Sequence, residues 1–164
     1  MTLPRYGAGA EMKHLLIIYH SQSGKTSRMA DAVLDGARHP DIDGVEVRMG
    51  QALESGVDDL LWADALLLGT PENFGYMSGG LKVFLDRTFY PCEGKLEGLG
   101  YAMFIGAGND GTGAVSSIQR IANGYNFREV QEPVIARGDL SAKHLELCHN
   151  LGMSMAAGLE LGLF

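Results

Sequence analysis

A chain of 164 residues sets one domain as the expectation, large enough to bury a full core without disulfides or a structural metal. A formal net charge of −7 argues against a nucleic-acid or anionic-membrane partner, because both are held by basic patches. The two cysteines, Cys92 and Cys148, stand far apart, which argues against a disulfide framework and fits a reducing cytoplasm.

Residues 1–14 show no apolar core of signal-peptide length. The run Leu15–Tyr19 is too short to cross a bilayer, so membrane insertion is not expected. Residues 14–20 (HLLIIYH) predict a buried strand. A helix follows, with Met29, Ala30, Val33, Leu34 and Ala37 on one stripe, and it stops near HPDIDG at 39–44. Residues 45–49 (VEVRM) alternate as a strand. Residues 57–70 hold a short helix and then the strand ALLLGT, which Thr70-Pro71 is expected to end. Residues 78–90 predict a helix with Leu81, Phe84, Leu85 and Thr88 inward. Residues 101–108 (YAMFIGAG) are the fourth strand, and 114–125 the helix after it, with Val115, Ile118, Ala122 and Tyr125 inward. Residues 128–138 predict a fifth strand, which Pro133 assigns to an edge. The last helix starts near Asp139 or Ser141, with Leu147, Cys148, Leu151, Met155 and Leu159 on its buried stripe.

Five strands alternating with five helices imply parallel β-α-β units and right-handed crossovers. No repeat or linker interrupts them, so residues 1–164 are expected to form one domain. Such sheets bind ligands beyond the carboxyl ends of their strands, at the point where strand order reverses. The loops to inspect are therefore 20–27, 70–79 and 106–113.

The first of these, SQSGKT, ends like a P-loop. A Walker A motif needs glycine five residues before Gly24, and Tyr19 stands there. Strand three also lacks an aspartate at its carboxyl end to hold a magnesium ion. The stretch instead suits a terminal phosphate monoester. Ser21, Ser23 and Thr26 offer hydroxyls, Gly24 permits a tight turn, Lys25 offers a charge, and the following helix points its positive dipole end at the ligand. The alternative is an ordinary N-capped helix with Ser21 or Ser23 as the cap. The second loop, PENFGYMSGG, carries Phe74 and Tyr76 around Gly75 and can present an apolar face beside backbone donors. The third, GAGNDGTG, is Gly-rich and by itself weak evidence.

SQSGKT resembles the phosphate loop of flavodoxins, [ST]-x-[ST]-G-x-T. Residues 59–88 (DLLWADALLLGTPENFGYMSGGLKVFLDRT) are similar to the central segment of flavodoxin-like NAD(P)H-dependent FMN reductases and quinone reductases, and the likeness extends over about 14–126. The resemblance implies a flavodoxin-like three-layer α/β/α sandwich with a five-stranded parallel sheet in the order 2-1-3-4-5. It implies FMN, with Ser21, Gln22, Ser23, Gly24, Lys25 and Thr26 on its phosphate. Pro71, Glu72, Asn73, Phe74, Gly75 and Tyr76 would lie against the isoalloxazine, and Gly106, Ala107, Gly108, Asn109, Asp110 and Gly111 would close its other side. The implied activity is electron transfer from NAD(P)H as co-substrate to a quinone, free flavin or similar small-molecule acceptor. The alternative is a flavodoxin-type carrier docking on redox proteins. A homo-oligomer, dimer or tetramer, is compatible with either.

The chain departs from the quinone-reductase pattern at Ser23, often Tyr, at Asn73, where one common pattern has Arg, and at Gly108-Asn109-Asp110, where Thr-Gly-Thr-Gly is often found. An acidic Glu72 beside the flavin is expected to repel the phosphates of an incoming dinucleotide. No catalytic base or nucleophile is expected, since the flavin would carry the chemistry. His144 and Cys148, four apart on the last helix, are read as packing groups and not as a metal pair. Trp62 is read as a core or interface anchor.

Overall fold

The computed structural model describes residues 11–164; the reading of residues 1–14 falls mostly outside them. Strand β1 (Lys13–Tyr19) lies between β2 (Val45–Gln51) and β3 (Ala65–Asn73), and β5 (Gly100–Ala107) lies beyond β3, all parallel. The predicted fifth strand forms in two pieces, β6 (Arg128–Glu129) and β7 (Val134–Arg137), each paired in parallel with β5. Pro133 sits in the break, consistent with its missing N–H. The expected order 2-1-3-4-5 therefore holds, with its last strand divided.

Helices α1 (Lys25–Ala37) and α5 (Ala142–Glu160) cover one face; α2 (Val57–Trp62), α3 (Gly79–Cys92) and α4 (Thr112–Gly124) cover the other. Alternation along the strands divides the core accordingly. Leu16, Ile18, Leu66, Leu68, Tyr101, Met103 and Ile105 face α3 and α4, while Leu15, Ile17, Leu67, Ala102 and Phe104 face α1 and α5. The central strands are buried on both sides, as parallel strands under two helical layers must be. Leu147, expected inward, is 39% exposed; it lies at the margin of a stripe whose other members are buried.

Thr70-Pro71 does not end β3. The strand runs to Asn73 and turns into β4 (Tyr76–Met77), an antiparallel hairpin partner. Proline is tolerated here because β1 stops at the register of Gly69, so no neighbour on that side calls for the missing N–H.

Helices α1 and α5 approach at backbone distance. A Cβ at Gly36 would collide with the carbonyl of His149, and one at Gly152 with the carbonyl of Val33. Backbone on both sides leaves nothing flexible to yield. Gly152→Ala is expected to cost about 1–3 kcal/mol through overpacking, read as a lower urea midpoint with an unchanged slope.

Candidate functional site

The three candidate loops converge at the carboxyl ends of β1, β3 and β5. At the end of β1, the His20 N–H donates to the Gly69 carbonyl at 3.1 Å, and the chain then turns through 21–24 into α1. Ser21 shapes the turn, its Oγ accepting from the N–H groups of Gly24 and Ser27, both at 3.2 Å. Gly24 is left-handed, with φ 94°. The N–H groups of Lys25 and Thr26 bond to nothing among the described residues. The side chain of Thr26, 2% exposed, lies beside them in the first turn of α1. The first N–H groups of a helix have no partner within it, so these two are poised for an acceptor from outside.

Lys25 does not offer its charge to that position. Its ammonium donates to the carbonyls of Ala107 at 3.3 Å, Ala136 at 2.9 Å and Gly138 at 2.5 Å. It thereby ties the first loop to the ends of β5 and β7. Burial lowers its pKa from the ordinary lysine value, with the carboxylate of Asp139 acting in the opposite direction. The loop's outer flank opens on a depression of about 450 Å³ lined by Ser23, Gly24, Arg28 and Leu140, among others.

Glu72 is likewise occupied. Its Oε1 accepts from the Gly111 N–H at 3.3 Å and its Oε2 from the Ala114 N–H at 3.1 Å, so its carboxylate caps the N-terminus of α4. The carboxylate that was expected to face incoming phosphates is thus engaged by backbone amides at the start of α4. An unsatisfied helix terminus lies within its reach, and a carboxylate there serves both the free N–H groups and the dipole. The capped pair joins the second loop to the third.

The second loop is held as a rigid hairpin. Asn73 pairs with Tyr76, and Phe74 and Gly75 form the two-residue turn with φ 50° and 70°. Both positive angles are what such turns require, but a bulky aromatic there is an outlier. Phe74 is fully exposed and Tyr76 is 41% exposed. The hairpin tip lies against α4, since a Cβ at Gly113 would strike the backbone of Gly75, and the Met77 N–H donates to Ser117 Oγ at 3.1 Å. Across the cleft, Asn73 Nδ2 donates to Gln22 Oε1 at 2.9 Å, linking second loop to first.

In the third loop, Gly106 lies under the Lys25 side chain and Ala107 supplies the carbonyl described above. Gly108, Asn109 and Asp110 are exposed, and Gly111 is buried. Asp110 folds back on its own chain, accepting from the Thr112 N–H at 3.0 Å and Oγ1 at 2.8 Å. These bonds, the backbone one first, hold its carboxyl below the ordinary aspartate value.

A buried polar cluster under the loops escaped the sequence reading. His20 Nδ1 lies 2.9 Å from Ser78 Oγ. The Thr70 hydroxyl lies 3.1 Å from Ser78 Oγ and accepts from the Ser78 N–H at 2.9 Å. Ser78, as the N-cap before Gly-Gly-Leu-Lys, was legible as a helix start; nothing in the sequence marked His20.

The residues set aside behave as structure. His144 and Ser141 cap α5 reciprocally, and burial pushes the Cys148 thiol up to about 12, so it supplies no thiolate. No cluster of potential metal ligands occurs among the described residues. Trp62 is half-buried, stacked on His14 at 4.2 Å with the Arg48 guanidinium 4.0 Å from its ring. No helix among the described residues is long and apolar enough to cross a membrane.

With this geometry in view, a family model described as flavodoxin matches residues 17–142, which take in all three loops. The chain belongs to the flavodoxin family. A flavodoxin of Aquifex aeolicus (strain VF5) is 30% identical over 161 residues, spanning 88% of this chain and 86% of its own. A protein named NAD(P)H dehydrogenase (quinone) from Acidithiobacillus ferrooxidans is 32% identical over 115 residues, covering 57% of this chain and 56% of that one. The fold is also that of an archaeal flavodoxin, with TM-score 0.77 at 22% identity over 90% of this chain and 99% of the other. A flavodoxin, WrbA-like protein of Agrobacterium tumefaciens superposes with TM-score 0.76 at 24% identity, covering 91% of this chain and 98% of its own.

Two expectations test the flavodoxin loops as built. Glu72→Ala is expected to cost about 1 kcal/mol, the usual worth of a helix cap, in urea unfolding. Asp110 binds its proton more weakly folded than unfolded. Its contribution is therefore full above the ordinary aspartate value and fades as pH falls through the depressed folded value. A carboxyl ¹³C titration should place its midpoint below the ordinary value, and Thr112→Ala should move it part of the way back.

Proposed function

We propose that the chain is an FMN-dependent oxidoreductase that passes electrons from NAD(P)H to a quinone, flavin or similar small acceptor. The observation that carries the reading is the donor set at the start of α1: the N–H groups of Lys25 and Thr26, free among the described residues, the Thr26 hydroxyl beside them, and the left-handed Gly24. Those groups match a terminal phosphate monoester, which needs several hydrogen bonds and favours a helix N-terminus. The residues present therefore fit FMN.

Bound FMN would supply the electron chemistry, its ring accepting electrons and returning them. The chain's own groups bind and orient. Thr26 and the N–H groups of Lys25 and Thr26 would hold the phosphate. Ser21 keeps the turn that aims them, and Lys25 holds that turn against β5 and β7. Phe74 and Tyr76, on a hairpin pinned to α4, would offer the apolar wall. No side chain is needed as a proton-transfer base for hydride moving directly to and from the ring.

The reductase activity draws on the relatives named NAD(P)H dehydrogenase (quinone) and on the fate of Glu72. With its carboxylate turned into α4, the positive end of that helix offsets part of the charge an approaching dinucleotide would meet. The second reading is a flavodoxin-type electron carrier, favoured by the Aquifex flavodoxin's match over most of both chains.

Fluorescence titration should show FMN binding clearly tighter than FAD; equal affinities would contradict the phosphate assignment. Gly24→Val should abolish FMN binding. A Cβ there meets no protein atom within 4 Å, so the fold should lose only the backbone strain, about 1–2 kcal/mol. Anaerobic stopped-flow mixing with NADH and NADPH separates the two readings. Rapid flavin reduction by either nucleotide supports the reductase. Reduction by neither, with reduction by a ferredoxin-type reductase, selects the carrier.

A further inference from the structure

We infer that His20 is a positioning residue that fixes the spacing between the first loop and the 70–78 hairpin, and so sets how well the site grips a phosphorylated ligand. The inference rests on the flavin reading above for its ligand, but the clasp is a property of the chain alone.

His20 occupies the junction between β1 and the first loop. Its backbone N–H bonds the Gly69 carbonyl, the last contact between β1 and β3. Its ring reaches past β3 to Ser78, 2.9 Å from the hydroxyl. Ser78 is fully buried and holds three elements: it caps α3, its N–H bonds Thr70 Oγ1, and its hydroxyl lies between Thr70 and His20. Thr70 and Ser78 thus close the base of the hairpin, and His20 fastens that base to the residue preceding Ser21. The other link between the two loops, Asn73 to Gln22, lies in exposed side chains where water competes.

The seat for the ring is built into the sequence. Gly80, in the first turn of α3, packs directly on the imidazole, and a Cβ there would collide with the ring. A histidine at 20 and a glycine at 80 therefore form a complementary pair. Removing the ring leaves the buried Ser78 hydroxyl without its partner in the first loop, which frees that loop to shift relative to the hairpin.

The test uses the full chain and five forms: wild type, His20→Ala, His20→Asn, Gly80→Ala and the His20→Ala/Gly80→Ala double variant. Asparagine can place a polar atom near the position of Nδ1, so it should rescue what alanine loses. FMN dissociation constants are expected to rise about ten-fold in His20→Ala, the scale of one buried hydrogen bond, and to stay within about two-fold of wild type in His20→Asn. Gly80→Ala should reproduce the alanine defect by displacing the ring. The His20→Ala/Gly80→Ala double variant should be no worse than either single one. Amide hydrogen exchange on flavin-free protein gives the second readout. Residues 20–27 and 70–78 should exchange faster in His20→Ala and Gly80→Ala than in wild type or His20→Asn. Wild-type exchange in His20→Ala overturns the clasp, as does a His20→Asn form as defective as alanine. If wild-type protein fails to bind FMN at all, the flavin reading falls, and the exchange data alone decide on His20.

Discussion

The site depends on two neighbouring strands of unequal length. β1 and β3 pair in parallel from Leu15 with Ala65 to Tyr19 with Gly69, and there β1 ends while β3 continues to Asn73. The result is a step at the carboxyl edge of the sheet. On its low side the chain drops into the turn that opens α1. On its high side the continuing strand, supported by β5 as far as the Pro71–Gly106 pair, stands as a wall and folds over into β4. Buried parallel ladders tolerate no free backbone groups, so wherever one strand stops early the neighbour's groups must find other partners. The hairpin, the His20–Gly69 bond and the Thr70 hydroxyl, which donates to the Pro71 carbonyl, are those partners.

The same accounting explains why two charged residues are not where their charge alone would put them. Lys25 and Glu72 both stand in loops where an ionic role toward a ligand was the natural reading. Both instead satisfy backbone: Lys25 the carbonyls at the ends of β5 and β7, Glu72 the amides opening α4. Strand ends accumulate free carbonyls and helix starts accumulate free amides, and the crossover topology brings opposite kinds of terminus together. A cation and an anion of suitable reach are taken up as internal ties. At the start of α1 the groups left unpaired among the described residues are neutral, the N–H groups of Lys25 and Thr26, assisted by the dipole of that helix.

The layer order, the strand sequence and the three loops were legible because each rests on periodicity or on Gly and Pro punctuation. Buried stripes such as Met29–Val33 and Leu81–Phe84–Leu85–Thr88 lie where the spacing put them. Apart from Leu147 at the margin of its stripe, the failures turn on pairings distant in sequence. Pro71 reads locally as a strand terminator, and only the short reach of β1 makes it acceptable. The continuous strand at 128–138 breaks because its two halves meet β5 separately. Glu72 finds Gly111 and Ala114 about forty positions away, and His20 finds Ser78 across 58. The loops could be located from the sequence, but not the partners of the side chains within them.

The divided last strand also bears on how the molecule behaves among copies of itself. An open sheet has two edges, and each is a template for another chain's backbone. On the far side from β2, the exposed template is cut into a two-residue and a four-residue piece, separated by a stretch that includes Glu132 and Pro133. Neither piece is long enough to nucleate an intermolecular ladder, and proline denies an incoming strand a donor at the break. The other edge, β2, is seven residues long, and there Arg38 lays its guanidinium on the Val47 carbonyl, occupying an acceptor an intruding strand would need. The interruption that made the strand harder to read thus works as a guard against aggregation.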